Sequence, residues 1–193
     1  MRRILKTGGI IIVLLTVLLV AAAAWNISGN RKKYDPKNIV INKSDAMKIS
    51  SPAFENNGNI PEKYTCDGHS VNPPLEITDV PEGTESLAFI MHDPDAIISG
   101  GFVHWVLYNF SPDTKEIPEN GKPTDATEGN SSSHETGYVG PCPPFGTHHY
   151  HFKVFALDTK LDLDSGETRD DLLKAMEGHI IDNAELVALY EKQ

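Results

Sequence analysis

Residues 137–157, GYVGPCPPFGTHHYHFKVFAL, divide into two parts of opposite character. The first ten positions hold three glycines and three prolines, a density that fixes a rigid, irregular loop and lets backbone approach a ligand closely. The rest, His149 onward, is rich in aromatic and β-branched residues and reads as a buried strand. Side chains alternate along a strand. His148, Tyr150 and Phe152 therefore share one face, and His149, His151 and Lys153 the other. The HHYH run offers one inward histidine and one inward tyrosine, not three convergent histidines.

Two further apolar runs read as strands: 85–92 (ESLAFIMH) and 102–110 (FVHWVLYNF). Strict alternation on the second places Phe102, His104 and Val106 on one face and Val103, Trp105 and Leu107 on the other. Between these runs lies Asp93-Pro94-Asp95, good turn chemistry in its own right. Short apolar runs punctuated by Pro, Gly, Asn and Asp are the pattern of a β-rich domain. Helices are expected late. Thr168 caps a segment with Asp170 and Asp171 in its first turn, Leu172, Leu173 and Met176 on one side, and Gly178 as its stop. Asp182 with Glu185 three residues on resembles a second helix start, followed by Leu186, Leu189 and Tyr190. Residues 111–138 are nearly all turn formers, a long loop of the functional or mobile kind.

The chain has 193 residues and a formal net charge of −10, which argues against nucleic acid as a partner. With 39% hydrophobic and 23% charged residues it has the make-up of a globular domain. Arg2, Arg3 and Lys6 precede an apolar run over 10–24, the layout of a signal peptide or an uncleaved membrane anchor. Residues 26–44 are polar and aperiodic and read as a linker, leaving 45–193 as the domain. Such a layout predicts an extracytoplasmic domain, either anchored by the segment or secreted after its cleavage. The two cysteines, Cys66 and Cys142, both fall in that domain; they pair as a disulfide outside the cytoplasm or remain two buried thiols.

The motif series DPDA at 93–96, His104-Trp105 on the next strand and GYVGPCPPFGTHHY at 137–150 resembles the phosphatidylethanolamine-binding proteins, in particular their bacterial Raf-kinase-inhibitor-like branch. Residues 60–68 (IPEKYTCDG), Pro73-Pro74-Leu75 and 152–158 (FKVFALD) extend the likeness across nearly the whole domain. The resemblance implies a mainly β fold with peripheral α: two antiparallel sheets plus C-terminal helices, behind the N-terminal apolar helix. It also implies a non-catalytic protein with a small anion pocket for phosphate, a phosphorylethanolamine headgroup or a carboxylate, and no cofactor.

Carried over by position, the pocket residues are Asp93, His104, Tyr138, Gly140, Pro141, His148 and Tyr150. Histidine and tyrosine supply donors to an anion, Asp93 orients a histidine or receives an ammonium group, and backbone N–H groups of 137–140 form an anion nest. The chain departs from the family pattern at Ile97, where proline is usual, and at His149, where arginine is frequent. With that arginine gone, Asp95 loses its partner or pairs only with a protonated His149. Two other readings compete. One is inhibition of a protease or kinase through protein contact, using the pocket rim and residues 111–136. The other is a metal-dependent hydrolase built on Asp93, His104 and His148, which the split histidine run and the absence of a zinc-protease motif oppose.

Overall fold

Strand-forming residues dominate because the longest apolar runs alternate or are buried on both sides, and pairing them closes a sheet. The computed structural model describes residues 46–193. The predicted apolar segment and linker, and with them the N-terminal helix, lie outside the described residues; among those described, no helix is long and apolar enough to cross a membrane.

The described residues form nine strands: β1 (Lys48–Ser50), β2 (Gly58–Asn59), β3 (Leu75–Thr78), β4 (Ser86–Asp93), β5 (Phe102–Phe110), β6 (Glu116–Ile117), β7 (Thr127–Glu128), β8 (Thr147–Leu157) and β9 (Ile180–Glu191). Among the described residues one α-helix, α1 (Arg169–Ala175), precedes β9, and a single 3-10 turn spans Glu62–Tyr64. They form a six-stranded sheet, β2-β9-β8-β4-β5-β7, and a three-stranded sheet, β1-β3-β6. All pairings are antiparallel except β2 with β9.

The small sheet places Ile49, Leu75, Ile77 and Ile117 against one face of the large sheet, where Leu87, Phe89, Met91, Trp105, Phe152 and Val154 complete the core. Burial of each such side chain contributes about 1.5–3 kcal/mol. The opposite face of β4 and β5 is covered too, since Ala88, Ile90 and Val106 are buried along with Leu172, Leu173 and Met176 around α1. That double cover explains why β4 and β5 read as continuous apolar runs rather than alternating ones.

The first expected helix forms as α1, with a reciprocal capping box between Thr168 and Asp171. Gly178 takes φ 83° just beyond it, a conformation that glycine adopts without strain. The second does not form. Residues 180–191 are β9, paired with β8 from Thr147↔Glu191 to Leu157↔Ile180. Asp182, Ala184, Leu186, Ala188 and Tyr190 are buried at every second position, a period of two hidden in the sequence by small and polar inward residues. Good helix formers yield here to the open edge of β8, a tertiary override of local propensity.

The expected long loop is likewise pinned. It contributes β6 to the small sheet and β7 to the large one, and the Asn72 side chain donates to Pro118 O at 2.8 Å and accepts from Gly121 N at 2.9 Å.

Candidate functional site

Three neighbouring strands deliver the polar residues to one place. Asp93 ends β4, and β8 lies beside it with His92 opposite His151. His148 and Tyr150, inward on β8, are therefore neighbours of the Asp93 carboxylate, and both are buried while His149 is exposed. His104 arrives by a different route. On β4 and β5 the pairs are Met91↔Trp105 and His92↔Val103, so β5 carries one extra residue, His104. This is a β-bulge, which re-aims a side chain and increases local twist. Trp105 packs edge-on to Phe89 at 5.6 Å between ring centroids, and His104 packs on Tyr150 at 5.2 Å. His104 and Trp105 thus both turn inward, and strict alternation fails at that step.

Both histidines are locked through one nitrogen. His148 Nδ1–H donates to Asp93 Oδ2 at 2.7 Å. His104 Nδ1–H donates to the Val139 carbonyl at 2.6 Å. The other Asp93 oxygen accepts from Asp95 N at 2.9 Å, so of the two roles expected for Asp93 the geometry supports orienting a histidine. Among the described residues neither Nε2 atom has a hydrogen-bond partner. Burial drives His104 down to about 4, so its ring is neutral at pH 7 and its Nε2 accepts rather than donates. The expectation that both histidines donate to an anion is corrected on this point. Only His148, whose ring is held against the Asp93 carboxylate, is placed to do so.

The two rings face a cavity of about 200 Å³. Sites for drug-sized ligands run to roughly 300–1,000 Å³, so this one suits a headgroup-sized molecule. Its other walls are mostly apolar: Ala96, Ile97, Ile98, Phe102, Val139, Pro143 and Pro144, with Gly140 and Cys142. Several of these wall residues went unread in the sequence, because an apolar wall carries no signal distinct from a core.

The glycine- and proline-rich loop is a rigid wall because it is tied down repeatedly. Cys66 and Cys142 form a disulfide with Cα atoms 5.4 Å apart. Cys66 N donates to Pro141 O at 3.0 Å, Val139 N to His104 O at 3.0 Å, and Gly140 N to Ser70 Oγ at 3.0 Å. The last two bonds occupy the N–H groups that were expected to form an anion nest, so that expectation fails at Val139 and Gly140. A Cβ on Gly140 would come within 2.5 Å of Ser70 Oγ; this glycine serves the loop's close packing rather than a ligand's approach.

Tyr138 and Pro141 also support the wall from behind and do not line the cavity. The Tyr138 hydroxyl donates to Tyr64 O at 2.8 Å, and its ring stands edge-on to Trp105. Tyr150, expected at the ligand, does not line the cavity; its ring packs against both histidine rings instead. Its buried hydroxyl has no hydrogen-bond partner among the described residues, and burial raises its pKa far above the ordinary tyrosine value.

Asp95 keeps a partner despite the missing arginine. Its Oδ2 accepts from both His149 N at 2.8 Å and His149 Nδ1 at 2.7 Å. Nδ1–H donates equally well from a neutral ring, so the pair does not require a protonated His149. Burial pushes the Asp95 carboxyl up, but the His149 hydrogen bonds outweigh it and leave the carboxyl below its ordinary value. No group of three or more His, Cys, Asp or Glu among the described residues is arranged to hold a metal ion.

A family model described as Phosphatidylethanolamine-binding protein matches residues 50–191. A UPF0098 protein of Pyrococcus abyssi is 49% identical over 158 residues, covering 77% of this chain and 87% of its own length. A UPF0098 protein of Chlamydia trachomatis is 43% identical over 150 residues, 76% of this chain and 99% of its own. Among solved structures, a phosphatidylethanolamine-binding protein homologue from Chlamydia trachomatis superposes with TM-score 0.74 at 42% identity, over 78% of this chain and all of its own. The E. coli protein YbcL, described as a new member of the mammalian family, gives TM-score 0.72 at 29% identity, over 77% of this chain and 99% of its own. The two Chlamydia trachomatis relatives are matched over 99% and 100% of their own length. The chain belongs to the phosphatidylethanolamine-binding protein family.

Proposed function

We propose that the chain is a non-catalytic binding protein whose cavity at Asp93, His104 and His148 takes a small ligand carrying both an anionic group and a hydrogen-bond donor. The observation that carries this reading is the pair of histidines locked at Nδ1 with both Nε2 atoms free at one cavity. His148, held against Asp93, donates to a phosphate or carboxylate oxygen. His104, neutral, accepts from an ammonium or a protonated phosphate oxygen. Phosphorylethanolamine supplies both groups in one molecule, and its size suits the cavity.

A hydrolase is less well supported. An Asp–His pair with a free Nε2 resembles part of a hydrolytic triad, but the cavity walls contain no serine or threonine, and their one cysteine is in a disulfide. Protease or kinase inhibition through residues 111–136 has less support than the cavity, since those residues are tied to both sheets. The disulfide and the apolar N-terminal segment together support an extracytoplasmic location, where disulfides persist.

Calorimetry on the domain from residue 45 onward, with phosphorylethanolamine, phosphate and acetate as ligands, tests the reading. The wild type binds phosphorylethanolamine most tightly, and His148→Ala weakens it about tenfold to a hundredfold, the worth of one charge-assisted hydrogen bond. Equal affinity in the variant would sink the cavity assignment.

A further inference from the structure

The loop after Asp93 has two sides. Residues 96–98 line the cavity of the histidines, and residues 98–101 line a second hollow of about 310 Å³, with Ile98 common to both. The first is walled mostly by apolar groups. The second is lined mainly by polar ones, among them Asn130, Ser131, Ser132, His134, Arg169 and Asp170, with Ile98 and Val103 as its apolar patch. Its outer wall belongs to the turn-forming stretch 111–138, which the first cavity leaves unused.

These groups are fixed in place and still have hydrogen-bonding capacity. Asn130 bridges Thr136, Ser131 N donates to Glu135 O at 2.9 Å, and Ser132 N donates to Val103 O at 2.9 Å. The Oγ atoms of Ser131 and Ser132 each accept one backbone N–H, from Ser133 at 3.2 Å and from Val103 at 2.9 Å. Neither hydroxyl donates to another described residue, so both protons remain available. The Asn130 side-chain amide and the His134 ring make no hydrogen bond among the described residues. Arg169, whose side chain is 14% exposed, donates from Nε and Nη2 to Asp170 Oδ1 at 3.1 and 2.9 Å, and from Nη1 to Gly100 O at 3.2 Å. Part of its donor fork stays open, and Asp170 Oδ2 accepts nothing among the described residues.

We propose that this hollow is a second binding site, for a neutral polyhydroxylated ligand of monosaccharide size. A hydroxyl both donates and accepts, which suits a wall that mixes serine donors, an amide offering both, a guanidinium and an open carboxylate oxygen. Ile98 and Val103 give the C–H face of a pyranose ring a surface to lie on. The volume falls near the lower end of the roughly 300–1,000 Å³ of small-molecule sites, which one ring fills. An anion is the poorer match, because Asp170 already offsets the Arg169 charge and repels a phosphate.

The test is nitrogen-15 NMR with calorimetry on the full-length chain, titrated with glucose, galactose, mannose and myo-inositol, and with inorganic phosphate as the anionic control. At least one polyol binds saturably in the roughly millimolar range and moves the Asn130 side-chain amide. Asn130→Ala and Asp170→Ala each weaken that polyol about tenfold, the worth of one hydrogen bond. Asp170→Ala also tightens phosphate, since the Arg169 charge is then uncompensated, a gain that a variant failing to fold does not show. Three outcomes overturn the proposal: no polyol saturates, the bound polyol moves only the histidines of the first cavity, or the wild type binds phosphate more tightly than every polyol.

Discussion

Replacing Cys66 and Cys142 together by serine lowers the free energy of unfolding by about 4 kcal/mol, the largest stability change expected from one pair of surface substitutions. The bond joins residues 76 apart in sequence. Removing it frees the unfolded chain to explore a loop of that length, which on the chain-entropy account is worth about 4 kcal/mol. Both cysteines are exposed, so reductant reaches the bond in the native protein. Urea unfolding with and without dithiothreitol, alongside the double variant, makes the comparison. Reduced wild type and the variant share a lowered midpoint; a midpoint indifferent to both changes contradicts the prediction. The same substitutions loosen the wall that carries Val139, and through its carbonyl the setting of the His104 ring, so ligand affinity falls with stability.

Acidification from pH 7 to pH 4 removes about 3 kcal/mol of stability through His104 alone. Its pKa is 6.5 as a free side chain and about 4 when buried. Between those values the unfolded chain takes up a proton that the folded chain refuses, so unfolding is favoured progressively as pH falls through 6.5 toward 4. Above 6.5 the full stability is present. The full difference, at 1.36 kcal/mol per pH unit, is about 3.4 kcal/mol well below both values, of which about 3 kcal/mol is lost by pH 4. Asp95 and Glu185, held below their ordinary values, add losses of their own only at lower pH, below their unfolded values near 4. The two contributions thus fall in successive windows. Stability followed from pH 7 to 4 in wild type and His104→Gln separates them: the variant's curve is flatter by about 3 kcal/mol. Parallel curves would show that His104 is not the group responsible.

The sequence made β4, β5, β8 and α1 legible for separable reasons. The apolar runs at 85–92 and 102–110 are long enough only for strands buried on both faces, and Thr168, Asp171 and Gly178 mark a helix by chemistry that acts locally. β9 was not legible, since its inward residues include Asp182, Ala184 and Ala188, and nothing local says that β8 has an open edge. The candidate site divides in the same way. Asp93, His148 and Tyr150 follow from position and alternation on β4 and β8. The inward turn of His104 beside Trp105 depends on a bulge, a property of the pairing between two strands rather than of either one. The tautomer of His104 depends on the Val139 carbonyl, a backbone atom that no residue pattern announces. Tyr138 and Gly140, singled out for a ligand, are spent on Tyr64 O and Ser70 Oγ.

On the proposed function, one ligand engages His104 and His148 at Nε2 together, the first as acceptor and the second as donor. Nitrogen-15 NMR of the histidine rings during titration with phosphorylethanolamine at pH 7 reads both atoms directly. The Nε2 resonances of His104 and His148 are expected to shift together and saturate at one equivalent, with His104 keeping its proton on Nδ1 and exposed His149 and His179 staying still. Saturable binding that leaves both buried rings unmoved, or a His104 ring that becomes doubly protonated on binding, would contradict it.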